Sequence, residues 1–211
     1  AGCSVKTMRA SAFVLCFSLL FLFATPVSAG TDGSLPFAVT KLADDLEHPA
    51  AMAVFPQGAF LIACHSGKLT YISADGQKSD IGGLPGDIFM QSAAGLLDIA
   101  LDPNFAINRI VYISYGGGSV INNGVRVIRA RFTGNALTDE TVIFSAQPTL
   151  KLIRDYGGKI VVARDGALYV AVGDHGYYGD RSIPDLLPLA DNNLGKLVRI
   201  RHGFFTRAGG V

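Results

Sequence analysis

Asp174 and His175 stand side by side in Val172-Gly173-Asp174-His175-Gly176, a carboxylate next to an imidazole in a glycine-bracketed turn. An imidazole changes charge near neutral pH and can take or give a proton, and a neighbouring carboxylate can orient it or organise its own turn. Upstream, Arg154, Asp155 and Lys159 surround the pair Gly157-Gly158. A second imidazole, His65, follows Cys64 in the turn Cys64-His65-Ser66-Gly67. Two such residues do not make a zinc site, which takes three or four ligands, so no metal site is assigned. Asp98, Asp155 and Asp174 are scattered acids. A metal-dependent lactonase would need several of them, with amides, turned into one channel.

The elements that position these groups read as short strands joined by tight turns. Tyr156 to Gly176 is strand, Asp165-Gly166 turn, strand, and then the Gly-Asp-His-Gly turn at a strand end, where binding groups on β scaffolds often sit. Earlier stretches repeat this pattern. Phe37–Leu42, Ala51–Phe55, Ala59–Cys64 and Lys68–Ser73 read as strands around Pro56-Gln57-Gly58 and His65-Ser66-Gly67. Gly95–Leu101, Arg109–Tyr115 and Val125–Phe132 follow around Asp102-Pro103-Asn104-Phe105, and Leu194–Ile200 continues the last copy. Pro184-Asp185-Leu186-Leu187-Pro188-Leu189 is bracketed by prolines and reads as loop.

Aligning the turns at Pro56, Pro103 and Asp165 gives spacings of 47 and 62 residues. Repeats of that length, each a four-strand meander, point to propeller blades. An ordinary β-sandwich is the competing architecture. The expectation is an all-β propeller of which about three blades are present.

The chain has 211 residues, 49% hydrophobic and 17% charged, enough to bury a sizeable core. Arg9, the apolar run Ala12–Ala24 and Thr25-Pro26-Val27-Ser28-Ala29 form a secretory signal pattern with cutting expected after Ala29. Met8 is the more natural start, which makes residues 1–7 upstream sequence. The expected domains are therefore 1–29, upstream residues and signal, and 30–211, a partial propeller. The mature chain is expected to be periplasmic or secreted and to have no membrane span. Its one cysteine, Cys64, allows no internal disulfide. Of 18 basic residues, removal of Lys6 and Arg9 leaves 16 against 17 acidic, a formal charge of −1. That balance offers nothing to a nucleic acid.

Six segments, in order, resemble one family. They are Leu46-Glu47-His48-Pro49, Gly95 to Ala106, Thr141-Val142-Ile143-Phe144, Tyr156-Gly157-Gly158-Lys159, Gly173-Asp174-His175-Gly176 and Leu194 to Ile200. Together they are similar to the pyrroloquinoline-quinone (PQQ)-dependent sugar dehydrogenases of the glucose/sorbosone dehydrogenase family, over about Phe37 to Ile200. The resemblance implies a six-bladed β-propeller, PQQ in its central cleft, calcium, and oxidation of the C1 hydroxyl of an aldose to a lactone. The electron acceptor is not implied.

Residue by residue, the resemblance puts Asp155 where the family carries its base histidine. An aspartate there is either a proton acceptor or a turn residue. His175 falls where family members carry a polar residue near the sugar, so it is a substrate-contact candidate or else an exposed loop histidine. Lys159 matches a basic position and is expected to meet an anionic group of the cofactor or a neighbouring carboxylate. The family's glutamine two residues before Gly-Leu-Leu is Ala93 here, and Gln91 is the nearest candidate contact. Calcium ligands are expected beyond this half. After His202 the segment Gly203 to Val211 follows no strand pattern, which reads as truncation and possible loss of activity. The alternative is a non-catalytic exported propeller that binds carbohydrate or a protein partner.

Overall fold

The computed structural model describes residues 37–151, 154–176 and 192–201. The signal pattern, the 184–189 loop and the 203–211 tail lie outside the described residues. Among those described, no helix is long and apolar enough to cross a membrane. All the strands among the described residues lie in the compact unit 42–211.

Eleven strands among the described residues form three antiparallel sheets. The first sheet is β1 (Pro49–Val54), β2 (Phe60–Cys64), β3 (Leu69–Ile72) and β4 (Lys78–Asp80), paired in sequence order. The second is β5 (Leu96–Leu101), β6 (Ile110–Ser119), β7 (Asn122–Phe132) and β8 (Leu137–Ser145), again in order. The third contains β9 (Gly157–Val162), β10 (Leu168–Val172) and β11 (Lys196–Ile200), with β10 in the middle. Each is a meander of neighbours in sequence, which is the blade architecture that the repeat spacing predicted. The turns at Pro56, Pro103 and Asp165 each join the first two strands of a sheet.

Two expectations for the first blade change. Phe37–Leu42 is not a strand, although the sequence predicted one. Instead, the blade gains the short edge strand β4, whose residues Lys78, Ser79 and Asp80 are all exposed and carry no apolar signal. Asn104–Asn108 closes into a single helical turn, α1 (Phe105–Asn108), ended by Arg109 at φ 58°.

The sheets pack face to face through their apolar sides. Between the first and second lie Phe55, Leu61, Leu69, Leu96, Ile99, Val111, Ile113, Ile128 and Phe132. Between the second and third lie Ile110, Tyr112, Val125, Val127, Tyr156, Ile160, Leu168 and Val170. Alternation along each strand explains the division: in β10, Leu168, Val170 and Val172 are buried while Tyr169 and Ala171 are not. At the ends where the first strands turn back, Phe55, Tyr71, Phe105 and Phe132 pack ring on ring, with centroids 4.9 Å apart for Phe55 and Phe105. β1 meets β5 and β5 meets β9, so the first strand of each sheet lies beside the first strand of the next.

Candidate functional site

Strand direction sorts the loops. Because every sheet is an antiparallel meander, residues just before its first strand share an end with the turn between its second and third strands. His48, Gln91 and Asp155 precede β1, β5 and β9, while His65 and His175 follow β2 and β10. All these candidates therefore lie at one end of the inner strands. The tight Pro56, Pro103 and Asp165 turns hold the other.

Asp155 and His175 are joined through the backbone. The His175 N–H donates to the Asp155 carbonyl at 3.2 Å, and the Gly173 N–H donates to the Tyr156 carbonyl at 2.7 Å. Gly173 is required here, since a Cβ would stand 1.7 Å from the Asp155 carbonyl oxygen. Asp155 has φ 50° and an exposed side chain. Aspartate tolerates that left-handed backbone. Asp174 accepts from the Gly176 N–H at 3.0 Å through Oδ1, so it organises its own turn.

His175 takes a different place from the open turn expected of it. Its φ of 56° folds the ring inward, where it is fully buried and meets Tyr156 edge to face, with centroids 4.5 Å apart. Tyr156 is itself buried and donates its hydroxyl to Asn123 Oδ1 at 2.5 Å. Burial pushes the Tyr156 hydroxyl up to about 12. In this arrangement the imidazole braces the Tyr156 layer beneath the loop that carries Asp155.

Lys159 meets a neighbouring carboxylate, one of the two partners expected for it. Its Nζ lies 3.0 Å from Asp98 Oδ1, and the Ile160 N–H donates to Asp98 Oδ2 at 2.7 Å. The Asp98 side chain is 2% exposed and that of Lys159 is 72% exposed. A carboxylate rooted in β5 thus anchors two groups of β9, and Ser114 Oγ adds a third tie by donating to the Gly158 carbonyl at 2.5 Å. The Gly157-Gly158 pair answers to the same close approach, because a Cβ on Gly158 would sit 2.6 Å from Leu97 Cδ1. Sequence reading treated Asp98 only as a scattered acid. The usable signal was a lone charge in the apolar run Leu96-Leu97-Asp98-Ile99-Ala100-Leu101, since a charge in such a strand needs a partner.

Gln91 is exposed, in a turn where its carbonyl accepts from the Ala94 N–H at 3.0 Å. Beside it, His48, His65, Ser66, Met90 and Ser92 line a pocket of ≈ 270 Å³. Asp155, Lys159 and His175 are not among its lining residues, so the structure divides the candidates between two places at the same end. Among the described residues, no three His, Cys, Asp or Glu side chains stand together as a metal set.

Three face-packed antiparallel meanders, two of four strands and one of three among the described residues, with polar loops collected at one end of their inner strands, define a β-propeller architecture. The glucose/sorbosone dehydrogenase family model matches residues 46–203, and the chain belongs to that family. It is 36% identical to an uncharacterized protein of Synechocystis over 170 residues, 74% of this chain and 41% of that protein. It is 30% identical to the aldose sugar dehydrogenase YliI of Escherichia coli over 167 residues, 77% of this chain and 43% of that protein. The PQQ-bound aldose sugar dehydrogenase of Streptomyces coelicolor superposes with a TM-score of 0.64 at 26% identity, over 77% of this chain and 47% of that one. The chain thus spans less than half the length of these relatives.

Proposed function

We propose that this chain forms part of a PQQ-dependent aldose dehydrogenase acting on the C1 hydroxyl of a sugar. The observation that carries this reading is the Lys159 ammonium. It is mostly exposed at the candidate end, yet is held by a buried carboxylate of the neighbouring blade. A cation positioned in this way suits the carboxylates that PQQ bears, so the residues present fit one edge of that group. When bound, the quinone supplies the hydride acceptor. Lys159 would hold the anionic edge of that group, and the exposed Asp155 carboxylate would take the hydroxyl proton as the sugar is oxidised towards the lactone. The described residues offer no cluster of three His, Cys, Asp or Glu side chains for calcium. The Arg9 to Ala29 signal pattern supports a periplasmic or secreted place of work.

Purified protein is expected to bind added PQQ in equilibrium dialysis, and an assay with calcium, an aldose and an artificial electron acceptor tests whether it also turns over. Lys159→Met is expected to weaken PQQ binding about tenfold, or about 1.4 kcal/mol. Failure to bind the quinone overturns the proposal. The exposed aspartate at the base position favours a second reading, a non-catalytic propeller that binds carbohydrate or a protein partner. Sugar binding retained without any quinone binding would select it.

A further inference from the structure

We propose that the pocket lined by His48, His65 and Met90 is a binding site for a soft metal ion, Cu(I), built by the first blade and the connection from β4 to β5. This reading is independent of the sugar chemistry above.

The first support is the fixed state of His65. Its Nδ1 lies 2.8 Å from the Ala94 carbonyl oxygen. A carbonyl can only accept, so Nδ1 carries the proton and Nε2 presents its lone pair. A histidine tied to a backbone carbonyl through one ring nitrogen is the usual arrangement of a metal ligand, because the tie sets both tautomer and ring orientation.

The second support is how the other two donors are brought to it. The His65 N–H donates to the His48 carbonyl at 3.0 Å, directly beyond the paired Pro49 and Cys64. The two histidines are therefore neighbours across the backbone, and both line the same pocket. Met90 arrives from the β4–β5 connection, and its sulfur rests over the turn after His65: a Cβ on Gly67 would lie 2.5 Å from Sδ. That connection is pinned against the same turn at Gly95, where a Cβ would stand 1.9 Å from the His65 carbonyl oxygen. The Gly95 N–H also donates to the Phe89 carbonyl at 2.8 Å, closing the loop that carries Met90.

The donor set decides the ion. Two imidazoles and a thioether suit Cu(I), and the lining contains no carboxylate of the kind that calcium or magnesium requires. Cys64 does not contribute: it is buried with Ile62 and Ile72 in a separate apolar cluster. A volume of ≈ 270 Å³ admits the ion with a water molecule or small exchangeable ligand beside it.

The test is an anaerobic titration of the purified chain with Cu(I) in competition with a chromophoric Cu(I) chelator. One equivalent is expected to bind in competition with the chelator. His48→Asn, His65→Asn and Met90→Leu are each expected to weaken it by about tenfold or more, the scale on which losing a ligand or its support acts. Met90 is exposed, so Met90→Leu should keep the wild-type melting temperature, which separates ligand loss from misfolding. Its Zn(II) affinity should also stay unchanged, while that for Cu(I) falls. Cys64→Ala is expected to retain Cu(I) binding. The proposal is overturned if the chain does not compete with the chelator, if Met90→Leu and His65→Asn bind Cu(I) as tightly as wild type, or if Cys64→Ala alone removes binding.

Discussion

Asp98 has two partners of unequal weight: the Lys159 ammonium, which remains largely in water, and the buried Ile160 N–H. The Lys159 ammonium stays mostly in water, so its attraction is screened, whereas a buried N–H left without an acceptor costs about 1–3 kcal/mol. Asp98→Ala is therefore expected to destabilise the protein by about 1–3 kcal/mol in urea unfolding. Asp98→Asn should recover most of that loss, because an amide oxygen can still accept from Ile160. An Asn variant as unstable as the Ala variant would show that the charge, rather than the strand-to-strand hydrogen bond, dominates. Either way, loss of the carboxylate should loosen Lys159 and weaken PQQ binding.

At the scale of elements, the connection from β4 to β5 is set by one glycine that sequence reading used only as a motif marker. Gly95 and Gly76 share φ +84°, but Gly76 has open space around its Cβ position, whereas Gly95 meets the His65 carbonyl. Gly76→Ala should cost about 1–3 kcal/mol through backbone strain alone. Gly95→Ala adds a backbone clash that cannot relax by rotating a side chain, so its loss of stability in thermal unfolding should be clearly the larger. Equal losses would mean that the connection moves away from His65 at little cost. The turns between strands were legible because Gly, Pro and Asp-Gly mark them, and three of them revealed the blade repeat. The edge strand Lys78–Asp80 was not: its pairing comes from β3, with Thr70 opposite Asp80, and not from its own composition. Phe37–Leu42 shows the converse, a run whose apolar and β-branched residues predict a strand and that forms none.

Across the whole molecule, the two inter-sheet cores are tied to pH through their tyrosines. Burial pushes Tyr112, Tyr115 and Tyr156 up to about 12, and for Tyr112 the hydroxyl's bond to Asp102 Oδ2 at 2.9 Å adds to the effect. Each folded value exceeds the ordinary tyrosine value of about 10, so folding favours the neutral form. The stability they contribute is complete below about pH 10 and is lost as pH rises through about 12. Circular dichroism should therefore report alkaline unfolding in that window, and the absorbance of these three tyrosinates should rise together with it. Their ionisation near pH 10 with the fold intact would contradict the packing described between the sheets.

The sequence by itself determined the class of structure and the family, because both are written in local signals: alternating apolar residues, turn residues at blade spacing, and six motifs in order. It also put Asp155 where the resemblance expects a histidine, since residue identity is all that such a comparison requires. What only the tertiary structure decided was which groups meet. His175 turns inward onto Tyr156 because of its left-handed backbone. Asp98 joins Lys159 from 61 residues away. His65, which has too few ligands in its own turn for a metal site, gains Met90 from another loop. Such meetings depend on sheets packing face to face, a long-range outcome that no local run of residues encodes.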